Sequence, residues 1–250
     1  MADTGTALEL DAVTIRFGGV LAVDDVSMTV PTGERRAVIG PNGAGKTTLF
    51  RAVSGEVFPQ NGRIRLFGRD VTRTPANRRA HLGIGRTYQV TNLFPGLSVE
   101  DNIMVAAQGL SRQRFRSWWP VRRSGALGER VDWALEQVAL ADRRQRMVSE
   151  LSHGEQRQLE LALGLAGSPK LLLLDEPAAG LSASERGQMR TLIAELPADM
   201  CLILIEHDME LALQLVDRVT VLDNGRKIAE GPPDEIRDNE DVQAVYLRSE

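Results

Sequence analysis

The chain has a single cysteine among its 250 residues, Cys201, so no internal disulfide is available to hold it together. Set in the apolar run CLILI, this cysteine reads as a small buried residue, and a chain so poor in cysteine suits a reducing compartment. Long apolar runs are missing as well. The longest, such as LLLL and LILI, fall far short of the ~20 residues a membrane helix needs, so any contact with a bilayer has to pass through a partner or a surface patch. The opening MADTGTALEL has neither a basic start nor an apolar stretch and does not read as a signal peptide. There is no basic excess: 30 Lys and Arg stand against 34 Asp and Glu, a net charge of -4, whereas a general nucleic-acid binder is normally basic. No repeat of about 20–50 residues points to a solenoid, and no heptads point to a coiled coil. What is present, 42% apolar and 26% charged residues, is ordinary for a globular chain long enough for one large α/β domain with room for a smaller lobe.

Periodicity divides the chain into three stretches. LELDAVTIRF alternates, VSMTV follows, and RRAVIG is a β-branched run; all three read as strands, and GRIRLFG alternates as another. KTTLFRAVSG reads as a helix closed by Gly55. From about residue 88 to 166 the pattern turns helical: SVEDNIMVAAQ, opened by a Ser98 cap, then ERVDWALEQVAL, then GEQRQLELALGLA. Strands and helices alternate again afterwards. KLLLLDEP and CLILIE are continuous apolar runs, as in strands covered on both faces. SASERGQMRTLIAEL and DMELALQLV read as helices, RVTVLDNGRKIAEG as a hairpin around Asn224-Gly225, and the tail as two short helices. A mostly parallel sheet interrupted by a helical lobe follows.

The strongest motif is GPNGAGKTT, residues Gly40, Pro41, Asn42, Gly43, Ala44, Gly45, Lys46, Thr47 and Thr48. It fits the phosphate-loop pattern G-x-x-x-x-G-K-[ST] and lies between a predicted strand and a predicted helix, as that pattern requires. The glycines allow backbone conformations that side chains would block, and the loop amides and helix start point at phosphate. Lys46 supplies charge to the β- and γ-phosphates, and Thr47 offers a hydroxyl to Mg²⁺. The loop establishes nucleotide binding without choosing between a kinase, a switch and a motor. LLLLDEP narrows that choice. It sets Asp175 and Glu176 at the C-terminal end of a buried strand, the edge where open α/β sheets bind ligands. Adjacent carboxylates raise each other's pKa; a Mg²⁺ at Asp175 relieves that and leaves Glu176 to orient a water toward the γ-phosphate. A base for water favours hydrolysis over a metabolite kinase, for which no acceptor motif is present.

LSHGEQRQLELA (151–162), just before LLLLDEP, resembles the signature sequence of ABC-type ATPases. GPNGAGKTT, YQ at 88–89, AAGLS at 178–182 and IEHD at 205–208 complete the family's motifs in order, across nearly the whole chain. RFGGVLAVDDVS, LDEPAAGLS and PDEIRDNEDVQAVYL resemble, more narrowly, the ATP-binding subunits of branched-chain amino acid importers. The resemblance implies an α/β fold: a P-loop NTPase core with a mostly parallel sheet flanked by helices, an antiparallel β subdomain, and an inserted helical subdomain. Residues 1–250 would be one ABC ATPase domain, with 1–87 and 167–250 forming the core and its helical tail, and 88–166 the helical subdomain.

Roles at matched positions come from the same resemblance. Phe17 would stack on adenine, a contact worth ~1–3 kcal/mol, the rival reading being a core-facing strand aromatic. Gln89 would touch the metal and the attacking water, and His207 the γ-phosphate. Ser152 and Gly154 would reach the γ-phosphate of a second ABC ATPase subunit, a copy or a homologue, in a head-to-tail dimer. The implied partners are ATP, Mg²⁺, that second subunit, two integral-membrane permease subunits and an external solute-binding protein; no nucleic acid is expected. The implied place is the cytoplasmic face of the inner membrane, peripherally bound. Two departures stand out: His153 and Glu155 replace the signature's usual glycine and glutamine, and Ser182 replaces an aspartate. The rival function is a soluble ABC ATPase acting on DNA or ribosomes, disfavoured by the missing heptads and the single ATPase core. The segment with Arg112, Arg114, Arg116, Trp118, Trp119, Arg122 and Arg123 reads either as a permease or lipid contact or as a solvated loop.

Overall fold

A computed structural model describes residues 5–87, 93–110, 125–206 and 209–247. Gln89, His207 and the arginine–tryptophan segment up to residue 124 lie outside them. The described residues form two sheets. The first is antiparallel and joins β1 (Thr6–Phe17), β2 (Val20–Pro31), β4 (Asn61–Leu66) and β5 (Arg69–Asp70) in the order β2-β1-β4-β5. The second joins β3 (Arg35–Ile39), β6 (Ile84–Arg86), β7 (Leu171–Asp175), β8 (Cys201–Ile205), β9 (Arg218–Asp223) and β10 (Arg226–Gly231) in the order β10-β9-β3-β8-β7-β6. Its neighbours are parallel except the β9–β10 hairpin.

The runs LLLL and CLILI are apolar at every position because every position is buried. Side chains alternate across a strand. Leu172, Leu174, Leu202 and Leu204 therefore enter one core, and Leu171, Leu173, Cys201 and Ile203 enter another on the opposite face. The second core is closed by the antiparallel sheet and helix α1 (Lys46–Ser54). The first is closed by helices, among them α3 (Val99–Gly109), α4 (Ala126–Gln137), α5 (His153–Leu165) and α6 (Ala183–Ala194). Burying each Leu or Ile contributes roughly 1.5–3 kcal/mol relative to exposure, so the strands are held from both sides. The thiol of Cys201 lies within this packing. Burial pushes its pKa up, and it donates to Pro31 O at 3.2 Å, which makes it a core residue as its apolar setting predicts.

The helix signals act as their chemistry predicts. Ser98 caps α3 by accepting the Asp101 N–H, and Gly55 ends α1 at φ 85°. Asn224 (φ 45°) and Gly225 (φ 80°) form the tight turn between β9 and β10. The tail folds as α8 (Pro233–Arg237) and α9 (Glu240–Leu247), and α7 (Met209–Leu213) precedes β9. Periodicity assigns no element to residues 69–87. They hold β5, helix α2 (Ala76–Ala80) and the three-residue β6, all too short to display a period.

Arg79 in α2 organises this region. It is fully buried, and its guanidinium donates to Ala52 O and Val53 O at the end of α1 and to Val71 O, Thr72 O and Thr74 O. Burial pushes its pKa down to about 10, so it remains a cation at neutral pH, placed at a helix C-terminus where a cation is favoured. Arg79→Met should lower the unfolding free energy by about 3 kcal/mol, because several carbonyls lose their donor together. Urea unfolding will measure the loss, and Arg79→Lys should recover only part of it.

Candidate functional site

β3 ends at Ile39, and the chain turns through residues 40–45 into α1. Three glycines make this path possible. At Gly40 (φ 146°) a Cβ would lie 2.0 Å from Leu222 O, and at Gly45 (φ 97°) 2.3 Å from Ala22 O. Gly43 (φ 81°) has no neighbour within 4 Å of a Cβ position and faces open space. The loop is thus clamped between β9 and the start of β2 and open on its ligand side. The β9–β10 turn adds to the clamp: Gly225 N donates to Ala44 O at 3.1 Å, and Asp24 N donates to Gly225 O at 2.8 Å. From α9, Tyr246 reaches the same loop; burial pushes its hydroxyl pKa up, and a hydrogen bond from the Gly40 backbone opposes this.

Around the loop lies a cavity of about 660 Å³, walled by Asn42–Thr48, Glu176, Asn224 and the β2 start at Val20, Leu21 and Ala22. This is the size of a small-molecule site. Its floor is the amide-rich turn and the positive end of α1, a setting for anions. Lys46 is buried and donates from Nζ to Gly40 O at 2.6 Å and Pro41 O at 2.8 Å. Burial lowers its pKa, and Glu176 and then Asp175 act against that shift. Phe17 does not face the core. It is 46% exposed at the end of β1, paired in the ladder with Val20 of the cavity wall, so an apolar side chain flanks the mouth.

Asp175 closes β7 and is 3% exposed. Burial raises its pKa, and Arg86 opposes that from 3.2 Å. Arg86, at the end of β6, also pairs with Glu56 at 2.6 Å and receives no mark from the sequence patterns. Beside any Mg²⁺ of the sequence reading, a guanidinium supplies part of the countercharge to the paired carboxylates. Oδ1 of Asp175 is buried and has no hydrogen-bond partner among the described residues. With the Thr47 hydroxyl group's residue on the cavity wall, that oxygen suits Mg²⁺, which binds through one or two carboxylates plus substrate phosphates. No cluster of three or more metal-ligating residues exists among the described residues, so a site complete without nucleotide is not present there. Glu176 follows at φ 51°, a left-handed conformation that costs a side-chain-bearing residue about 1–3 kcal/mol. Its N–H donates to Ile205 O at 2.9 Å, and its side chain faces the cavity.

Ser152 and Gly154 are not on this wall. α5 begins at His153, two residues ahead of Glu155, because Ser152 is its N-cap. Ser152 Oγ accepts from Glu155 N at 3.2 Å, and Glu155 Oε2 accepts from Ser152 N at 2.9 Å. The Ser152 backbone bond is the main reason the Glu155 carboxyl lies below its usual range, and Arg143 pairs with it at 3.1 Å. The glutamate departure thus completes a capping box. Ser182 does the same for α6 with Glu185.

A family profile described as ABC transporter matches residues 23–179, and a second, described as branched-chain amino acid ATP-binding cassette transporter, matches 226–247. The chain belongs to the ABC transporter family, and it is an ATP-binding cassette that hydrolyses ATP in transport. The high-affinity branched-chain amino acid transport ATP-binding protein BraF of Pseudomonas aeruginosa is 38% identical over 96% of this chain and 97% of its own. LivG of Salmonella typhimurium, described in the same words, is 39% identical over the same shares. An ATP-binding cassette of an ABC transporter solved in its ADP conformation superposes with a TM-score of 0.86 at 28% identity, covering 97% of this chain and 98% of that one. No helix among the described residues is long and apolar enough to cross a membrane.

Asp175→Asn should raise the stability of nucleotide-free protein at neutral pH. Its carboxyl pKa is raised on folding, so the ionised form is disfavoured in the native state, and stability is lost as pH rises through the folded pKa. The gain should fade as the pH is lowered into the carboxylate range; denaturant unfolding at several pH values will check the direction.

Proposed function

We propose that this chain is the ATPase subunit of an importer for branched-chain or related amino acids, bound peripherally to permease subunits at the cytoplasmic face of the inner membrane. The observation that carries this reading is the similarity to BraF and LivG along almost the whole chain, with the tail 226–247 matched separately. An external solute-binding protein would complete the system. Residues 1–87 and 167–250 form the nucleotide-binding core in this reading, and 88–166 the helical lobe that docks on the permease.

Gly40–Thr48 hold the triphosphate of ATP, with the loop amides on the phosphate oxygens and Lys46 released from its two carbonyls to the β- and γ-phosphates. Phe17, exposed beside Val20, stacks on the base. Thr47, Asp175 and Gln89 hold Mg²⁺, which when bound neutralises charge developing on the phosphate oxygens. Glu176 accepts a proton from the attacking water, and His207 and Gln89 orient the γ-phosphate and that water. Ser152 and Gly154 contact the γ-phosphate held by a second ATPase subunit, a copy or a homologue. Closure of this pair with ATP and its reopening after hydrolysis drive the permease through their different affinities for its two states.

Glu176→Gln should bind ATP normally, lose roughly 10²–10⁴-fold in turnover and accumulate as an ATP-bound dimer; wild-type turnover would remove Glu176 from the base role. Lys46→Ala should weaken nucleotide binding itself, read by equilibrium binding of a fluorescent ATP analogue. Uptake of labelled leucine in a strain deleted for the chain tests the solute class. Sedimentation with ribosomes instead of permease-dependent membrane association would overturn the transport role.

A further inference from the structure

Glu185, in the first turn of α6, is not among the residues assigned above, yet its carboxylate joins two functional segments. Oε2 accepts from Ser182 N at 2.9 Å and from Ser182 Oγ at 2.7 Å. Oε1 reaches across to α5 and accepts the Gly154 N–H at 3.1 Å. The contact is tight: a Cβ on Gly154 would lie 2.6 Å from Oε1. Hydrogen bonding, from the Ser182 hydroxyl first, holds the Glu185 carboxyl below its usual range, so it is an anion at neutral pH. The two segments also lie close at Gly180, where an added Cβ would sit 3.4 Å from His153 Cε1. The loop between Glu176 and Ser182 is itself tied down: Ala179 N donates to Glu176 O and Ala178 N to Glu206 Oε1.

We propose that Glu185 is an internal anion that occupies the Gly154 amide until the phosphate of a second subunit displaces it. This rests on the reading that Gly154 binds that phosphate in the dimer. One N–H cannot serve two anions, and like charges at the start of α5 repel, so the carboxylate has to leave for phosphate to enter. Because the same carboxylate caps Ser182, its departure loosens the N-cap of α6 and the loop that leads back to Glu176. Glu185 is thus a positioning residue: engagement of phosphate by α5 is passed to the catalytic carboxylate of the same subunit. Ser182 is the residue through which this passes.

The test compares Glu176→Gln protein with the double variants carrying Glu185→Gln or Glu185→Asp. Glutamine removes the charge; aspartate keeps the charge and the helix cap but is too short to reach Gly154. Sedimentation velocity with Mg²⁺ and ATP, on the chain alone and with any ATPase chain encoded beside it, gives the dimer affinity. Dilute nucleotide titration gives the affinity of the single subunit, and thermal melting reports folding. Both double variants should dimerise about fivefold more tightly or better, the change expected from freeing one amide–carboxylate bond. Single-subunit ATP affinity should not move. A merely structural Glu185 would lower the melting temperature and weaken the dimer, and unchanged or weaker dimerisation in the aspartate variant overturns the proposal. If Glu176→Gln protein forms no ATP-dependent dimer with either partner, the two-subunit reading falls and this inference with it. A dimer indifferent to Glu185 removes the inference alone.

Discussion

A strand packed on both faces can present a charge only at its end. β7 is buried at all five of its positions, with alternate leucines committed to separate cores, so Asp175 is the first place along it where polarity becomes affordable. β3 lies in the same parallel sheet and ends in the same direction, which sets the phosphate loop beside the two carboxylates. The site therefore follows from the layering. Helices on one face and an antiparallel sheet on the other bury the strands, and the chemistry collects where that burial stops.

The charges gathered at this edge are balanced in advance of any ligand. Lys46 is buried on two loop carbonyls with Glu176 and Asp175 nearby, and Asp175 is steadied by Arg86, which in turn pairs with Glu56. Within this balance one oxygen of Asp175 stays buried and without a donor among the described residues. A buried acceptor of this kind is costly unless a partner arrives, and at this strand end it suits a cation. The left-handed backbone at Glu176 belongs to the same pattern: local cost is accepted where a side chain faces the cavity around the phosphate loop.

One departure in the signature, Glu155, and the one in the loop after Glu176 have local explanations. Glu155 and Ser182 each belong to a capping box, at the starts of α5 and α6. The two boxes are joined by Glu185, which caps one helix and accepts from the first turn of the other. Two of the residues that deviate from the common motif, Glu155 and Ser182, thus stabilise helix starts.

Much of the molecule was legible in its residues. The phosphate loop, the acid pair, the doubly buried strands, the Asn224-Gly225 hairpin and the Ser98 cap all declare themselves through spacing or turn chemistry, which are properties of short stretches. Arg86 and Asp175, 89 residues apart, could not be paired in this way, nor could the close approach of Gly45 to Ala22 or the placing of Asn224 on the cavity wall. β6 and α2 were unreadable because elements of three and five residues carry no period. The sequence by itself determined the class of fold, the nucleotide loop and the acid pair, because backbone conformation, capping and strand burial are dictated by near neighbours in the chain. Only the tertiary structure decided which cation meets Asp175, what encloses the loop and which carboxylate holds the Gly154 amide, because those contacts depend on how distant segments come together in space.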